Sequence, residues 1–387
     1  NFMNVTERFL KYVTFATASD EDSTTFPSTS GQLVLADYLT EELRMIGVAD
    51  AERDLNGYVY GHIPATPGFE NEPVIAHMDT SPDAPGENVN PKIVKYDGKN
   101  LPMIDDRYIG EDMIVSDGTT LLGADDKAGV AEIVSACERL INGEVKHGAV
   151  SICFTPDEEI GSGADRFDHK RFAADFAYTV DGGELGGIEY ENFNAAAVRL
   201  NVYGLNTHPG SAKGKMRNAA LYLNEFISML PDAETPAHTE GREGFYHVSY
   251  VNGTESKAEL HMIIRDHDRE KFEGRKLFVS RLAAYLNDKY GDGTFSLQIT
   301  DSYYNMREII EKHMEIVERA KEAMLANGVE PVITAIRGGT DGARLSFEGL
   351  PCPDISTGGM NYHSIYEAIP VSAFGKMTDI IVKIVEA

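Results

Sequence analysis

Four segments of the chain finish apolar stretches with residues able to hold a cation or move a proton. Pro73-Val-Ile-Ala-His77-Met-Asp79 closes a buried-strand pattern with a histidine and, two residues on, an aspartate. Strand alternation puts both on one face. Ala149–Thr155 runs into Pro156-Asp157-Glu158-Glu159, and Phe176–Val180 runs into Asp181-Gly182-Gly183. Leu121-Leu-Gly-Ala-Asp125-Asp126-Lys127 sets two adjacent acids at a helix start. Each feature alone has an ordinary explanation: a helix N-cap, a solvated acidic pair, a satisfied core histidine. Together they gather several carboxylates and an imidazole at one sheet edge, where like charges repel unless a cation neutralises them. A mixed imidazole–carboxylate set suits zinc, with manganese or cobalt as rivals.

The elements that must position these residues are legible in outline. Apolar residues recur at helical spacing over 5–15 and 32–46, and Gly47 is a natural stop for the second. Strands are expected at 58–62, 73–77, 149–155 and 176–181, with a helix over 127–141. Between them, 78–120 is rich in Pro, Asp, Asn and Gly and reads as one long functional loop. Strands alternating with helices imply an α/β fold, a mostly parallel sheet with helices on both faces. Such sheets bind ligands at the carboxyl ends of their strands. Near residue 192 the pattern changes. Strands at 195–203, 246–251, 257–265 and 294–300, with helices at 218–230 and 269–290, form a smaller α+β unit. A long helix (306–327), strands at 331–336 and 353–356, and a closing helix (371–386) then resume the first pattern. The expected division is therefore 1–192 with 306–387, interrupted by an insertion at 193–305.

Composition narrows the function. The chain has 387 residues, with 35 Lys and Arg against 62 Asp and Glu, so 35 − 62 = −27. That balance argues against nucleic acid or an anionic membrane as partner. Three cysteines, Cys137, Cys153 and Cys352, cannot make a disulfide framework and read as reduced, buried thiols. The opening Asn1-Phe2-Met3-Asn4 lacks a charged-then-apolar leader, and no apolar run approaches membrane-spanning length, so a cytoplasmic location is expected.

The ordered set of motifs carries a resemblance. His77-Met-Asp79-Thr-Ser-Pro-Asp, Gly123-Ala-Asp125-Asp126-Lys-Ala-Gly, Thr155-Pro-Asp-Glu158-Glu159, Val180-Asp181-Gly-Gly and Tyr362-His363 resemble the peptidase T family of tripeptide aminopeptidases, co-catalytic zinc metallopeptidases. Thr207-His208-Pro-Gly, Ile264-Arg265-Asp and Ile336-Arg337-Gly-Gly-Thr-Asp-Gly extend the match along nearly the whole chain. The segment between Asn100 and Asp117 is shorter than the family pattern, which touches the substrate rim rather than the chemistry.

The resemblance implies two zinc ions per chain, with manganese or cobalt as substitutes. His77 and Asp181 then resemble the ligands of one, Glu159 and His363 those of the other, and Asp125 the bridging carboxylate joined to Asp126 by a cis peptide. Asp79 resembles the acid that orients the His77 ring, and Glu158 the general base on the bridging water. Two Zn²⁺ against Asp125, Asp181, Glu159 and one hydroxide give a neutral core, which leaves Glu158 free to take a proton. His208 resembles a histidine that stabilises the oxyanion, although His-Pro-Gly is also simple turn chemistry. Arg265 and Arg337 could clamp a peptide carboxylate, with an ordinary ion pair the equal alternative for Arg337. The insertion resembles a lid and dimerisation domain, which makes a homodimer possible and leaves the monomer open.

The implied reaction is removal of the N-terminal residue from tripeptides. The same metal core also supports dipeptidases, carboxypeptidases and amidohydrolases of N-acyl amino acids. A nucleotide-binding module using Gly182-Gly183, Gly186-Gly187 and Gly338-Gly339 is a further alternative, against which these glycines form neither a G-x-G-x-x-G turn nor a phosphate loop. A metal-stabilised scaffold without catalysis would have no use for Glu158.

Overall fold

A computed structural model describes residues 3–68, the backbone of 74–77, and residues 81–386. The chain divides into two units: Asn1–Tyr190 with Met306–Thr334 and Thr340–Ala387, and Glu191–Asn305 with Ala335–Gly339.

In the first unit, Val150–Thr155, Val74–His77, Tyr178–Gly182 and Asp354–Ser356 lie side by side and pair in parallel. These four form the middle of an eight-stranded sheet. Its outer strands close it in the opposite sense: Val59–Ile63 pairs antiparallel with Val150–Thr155, and Gly187–Glu191 with Asp354–Ser356. The parallel centre is buried, as the run Val150–Thr155 shows at every position. Helix Ala124–Ile141 packs on Val74–His77 and Tyr178–Gly182, and is itself covered by Val5–Tyr12 and Val371–Val385. Cys153 turns the other way. It joins Tyr58, Tyr60, Phe167, Phe172 and Leu345, which leaves Ile152 and Phe154 to the opposite face.

Two sequence expectations need correction here. The stretch 78–120 is not one loop. Lys92–Lys95 and Asp112–Val115 pair antiparallel, and Ala368–Pro370 adds a third strand from the far end of the chain. Lys92–Lys95 is almost wholly exposed, so no apolar alternation marks it. The long helix at 306–327 is broken into Arg307–Ile310, a 3₁₀ turn at Glu311–His313, and Met314–Ala326.

In the second unit, a four-stranded antiparallel sheet runs Phe245–Gly253, Lys257–Asp266, Asn194–Tyr203 and Phe295–Tyr303. Strict alternation buries Ala258, Leu260, Met262 and Ile264 against Val198, Leu200 and Val202. Phe226 of helix Ala219–Ser228 and Phe272, Val279 and Leu286 of helix Arg269–Tyr290 complete that core. All three cysteines are buried and unbridged, and burial pushes the Cys137 thiol up to about 12. Among the described residues, no helix is long and apolar enough to cross a membrane.

Candidate metal centre

The carboxyl ends of the parallel strands carry the sequence-predicted ligands. Ile75 stands opposite Thr179, so His77 and Asp181, two residues further on, end adjacent parallel strands at one level. Adjacent strands lie about 4.8 Å apart. The His77 side chain and all of Asp79 lie outside the described residues, so Asp79 has no structural account. His77 also stands opposite Thr155, the last residue before the Pro156-Asp157-Glu158-Glu159 turn.

Asp125, Glu159 and His363 come together from three distant segments. One ligand atom of each lies within 4.8 Å of the others. His363 Nε2 is 2.8 Å from Glu159 Oε2 and 3.1 Å from Asp125 Oδ2. Asp125 and the Glu159 side chain are buried, while the His363 ring remains exposed. Hydrogen bonding to Asp125, then to Glu159, pushes the imidazole up to about 11. In this arrangement a proton on His363 does what a cation would do: it offsets two carboxylates crowded at one point. One imidazole nitrogen and two carboxylates, brought together at the end of a parallel sheet, are the donor set of a divalent transition-metal site. The residues present therefore fit the metal that the sequence implies.

The backbone around these residues is unusual where it must be. The Asp125–Asp126 peptide is cis, and helix Ala124–Ile141 departs from helical angles at both residues. Gly129 allows this corner to sit tight on the sheet, since a Cβ there would fall 2.0 Å from Val180 O and 2.4 Å from Asp126 Oδ1. Glu158 and Glu159 lie on a 3₁₀ turn, Glu158–Ile160, just after Asp157 in a left-handed conformation with φ +55°.

Several supporting residues were not singled out by the sequence. Asp157 is buried. Its Oδ2 accepts from Ser28 N (2.7 Å), and its Oδ1 from Ser28 Oγ and Gln32 Nε2 (both 2.6 Å). The Asp157 amide donates back to Gln32 Oε1 at 2.9 Å. Asp83 Oδ2 lies 3.0 Å from His363 Nδ1, the relation in which a carboxylate orients a metal-binding imidazole. Tyr362 Oη donates to Gly182 O at 2.7 Å and so ties the His363 segment to the residue after Asp181. The buried Glu367 carboxylate accepts three backbone N–H groups next to Asp125, and burial pushes it up to about 7. Asp83 and Asp157 stand inside the quoted motifs, but neither motif says what they touch. Glu367 carries no local signal at all.

Beside the centre lies a cavity of about 700 Å³, whose walls include Tyr362, Gly183, Glu184, Leu101, Met103 and Asp106. The short 100–117 segment thus walls a space adjoining the His363 and Asp181 loops.

The three predicted substrate residues belong to the second unit. His208 is exposed on a 3₁₀ turn, and its Nδ1 accepts from Gly210 N at 3.0 Å. Arg265 lies over the Tyr303 ring, 5.9 Å to its centroid, and its Nε is buried without a hydrogen-bond partner among the described residues. Arg337 is heavily engaged. It donates to Gly241 O at 2.6 Å, Glu243 O at 3.2 Å and Thr239 Oγ1 at 3.1 Å, with its guanidinium over Phe193 and Phe245.

Residues 190–294 match a family described as peptidase dimerisation domain. Over 99% of its length the chain is 53% identical to peptidase T of Caldanaerobacter subterraneus subsp. tengcongensis, covering 98% of that protein. Its fold is that of the aminopeptidase PepT from Bacillus cereus (TM-score 0.78, 24% identity, 99% and 97% of the two chains). It is also that of a tripeptidase from Staphylococcus aureus (TM-score 0.81, 20% identity, 99% and 97%).

Proposed function

The chain belongs to the peptidase T family, and on that premise we propose that it is a dinuclear zinc aminopeptidase that releases the N-terminal residue from tripeptides. The observation that carries the reading is the meeting of Asp125, Glu159 and His363, three residues far apart in sequence, with Glu158 beside them. His77 and Asp181 would hold one ion, Glu159 and His363 the other, and Asp125 would bridge. When bound, such metal would supply acidification of a water and polarisation of the scissile carbonyl.

The chain's own residues supply the proton chemistry and the fit. A Glu158 carboxylate oxygen accepts one proton from the attacking water and delivers it to the leaving amide nitrogen. The C–O bond forms first, leaving a tetrahedral oxyanion, and the C–N bond breaks as the nitrogen takes the proton, giving a free amino acid and a dipeptide. Asp79 orients the His77 ring. His208 stabilises the oxyanion, and Arg265 meets the peptide carboxylate. Arg337 stands with Arg265 in this reading, but its donors are already committed to the Gly241 and Glu243 carbonyls and the Thr239 hydroxyl. The 190–294 match supports a homodimer formed through this unit. Three buried free thiols support a reducing, cytoplasmic setting.

The test is a substrate panel on zinc-reconstituted protein: tripeptides, dipeptides and N-acylated amino acids. The expected result is release of the N-terminal residue, fastest from tripeptides. Preference for blocked amines would overturn the aminopeptidase reading and leave an amidohydrolase on the same metal core.

A further inference from the structure

One short loop grips Asp125 twice. Met360 and Ala368 exchange backbone hydrogen bonds of 2.9 and 3.1 Å, which closes 361–367 at its base. From this loop His363 Nε2 reaches the Asp125 carboxylate, and Glu367 reaches the Asp125 backbone. Glu367 Oε1 accepts from Leu122 N at 2.8 Å and Gly123 N at 2.7 Å, and Oε2 from Asp125 N at 2.9 Å. Gly123 has φ +95°, a left-handed residue that helps turn these N–H groups into one anion-binding concavity. Glu367 is 1% exposed, and this set of donors compensates its carboxylate for leaving water.

We propose that Glu367 is a positioning residue for metal binding. It fixes the 121–126 turn, and with it the cis Asp125–Asp126 corner, so that the Asp125 carboxylate meets His363 and Glu159. Both of its oxygens are occupied by backbone N–H groups, so it acts through Asp125 and is not itself a ligand. An outer carboxylate that orients a ligand typically sets metal affinity by about 10–100-fold.

The inference rests on the metallopeptidase reading, and zinc affinity of the metal-stripped chain tests it without any peptide. Zinc is titrated against a competing chromophoric chelator into wild type, Glu367→Gln, Glu367→Asp and Asp266→Asn. Thermal unfolding of the metal-free forms is recorded in parallel. Asp266 is a buried carboxylate paired with Arg275 in the second unit, so its variant reports general destabilisation. Glu367→Gln turns one acceptor oxygen into a donor facing N–H groups. Its zinc affinity is expected to fall about 10–100-fold, that of Glu367→Asp less, and that of Asp266→Asn not at all. Wild-type affinity in Glu367→Gln overturns the proposal, as does an equal loss in Asp266→Asn at matched stability. Should Glu367→Gln not fold, wild-type affinity in Glu367→Asp overturns it. Failure of wild type itself to bind zinc would instead remove the metallopeptidase reading, and this proposal with it.

Discussion

Gly129 and Val180 stand so close that a Cβ on the glycine would lie 2.0 Å from the Val180 carbonyl oxygen. The contact joins the start of helix Ala124–Ile141, which bears Asp125, to strand Tyr178–Gly182, which bears Asp181. The two proposed ligands are thus held at a spacing that only a glycine permits. Gly129→Ala must push the helix off the sheet. Overpacking of this kind costs about 1–3 kcal/mol, occasionally more, and thermal unfolding should show the loss. The same variant should bind zinc more weakly, because Asp125 moves with the helix.

Asp157 supplies the second prediction. Its carboxylate and amide bind Ser28 and Gln32, which anchors the turn that presents Glu158 and Glu159. Asp157→Asn keeps a residue type that tolerates φ > 0, but opposes an NH₂ group to a donor. The expected cost is about 1–3 kcal/mol. Misplacement of the base by about 1 Å can lower rate about 100-fold. A fall in kcat with KM little changed would match this role. Unchanged kcat at lowered Tm would reduce Asp157 to a structural part.

Arg265 and Arg337 should separate cleanly. Arg337 is spent on the carbonyls of Gly241 and Glu243 and on two phenylalanine rings. Arg337→Ala should therefore lower Tm, at about 1–2 kcal/mol for hydrogen bonds of this kind. Arg265 keeps a buried Nε without a partner among the described residues. Arg265→Ala should raise KM for tripeptides and spare both Tm and zinc binding. Steady-state kinetics beside thermal melts distinguishes the two outcomes.

The role proposed for Glu158 is to move protons, not to hold metal. Glu158→Ala should retain two zinc ions per chain by elemental analysis and lose most of its peptide turnover, since a positioned base contributes about 10²–10⁴-fold. Normal turnover with both ions bound would assign the base elsewhere.

Two of the expected ligands could be read from the sequence because strand ends are simple to recognise. Val74–His77 and Tyr178–Gly182 are apolar runs that stop at a histidine and an acid, and parallel pairing puts such ends side by side. His363, exposed at φ +61° in a turn, has no periodic signature, and only the family resemblance marked it. Glu367 was invisible for a different reason. In Tyr366-Glu367-Ala368 it looks like a surface acid before a strand, and its burial depends on N–H groups more than 240 residues away. Strand Asp112–Val115 was missed on the same ground, because it finds a partner in Ala368–Pro370. Local pattern reports what a segment can do alone. These features exist only after the chain has closed on itself.

The central claim is that residues scattered from His77 to His363 hold two divalent ions at one sheet edge. Anomalous diffraction at the zinc edge, from crystals of zinc-reconstituted protein, tests it most directly. Two adjacent peaks are expected, one in contact with Glu159 and His363, the other with His77 and Asp181, and Asp125 between them. A single peak away from Asp125, or no peak within reach of His363 and Glu159, would contradict it.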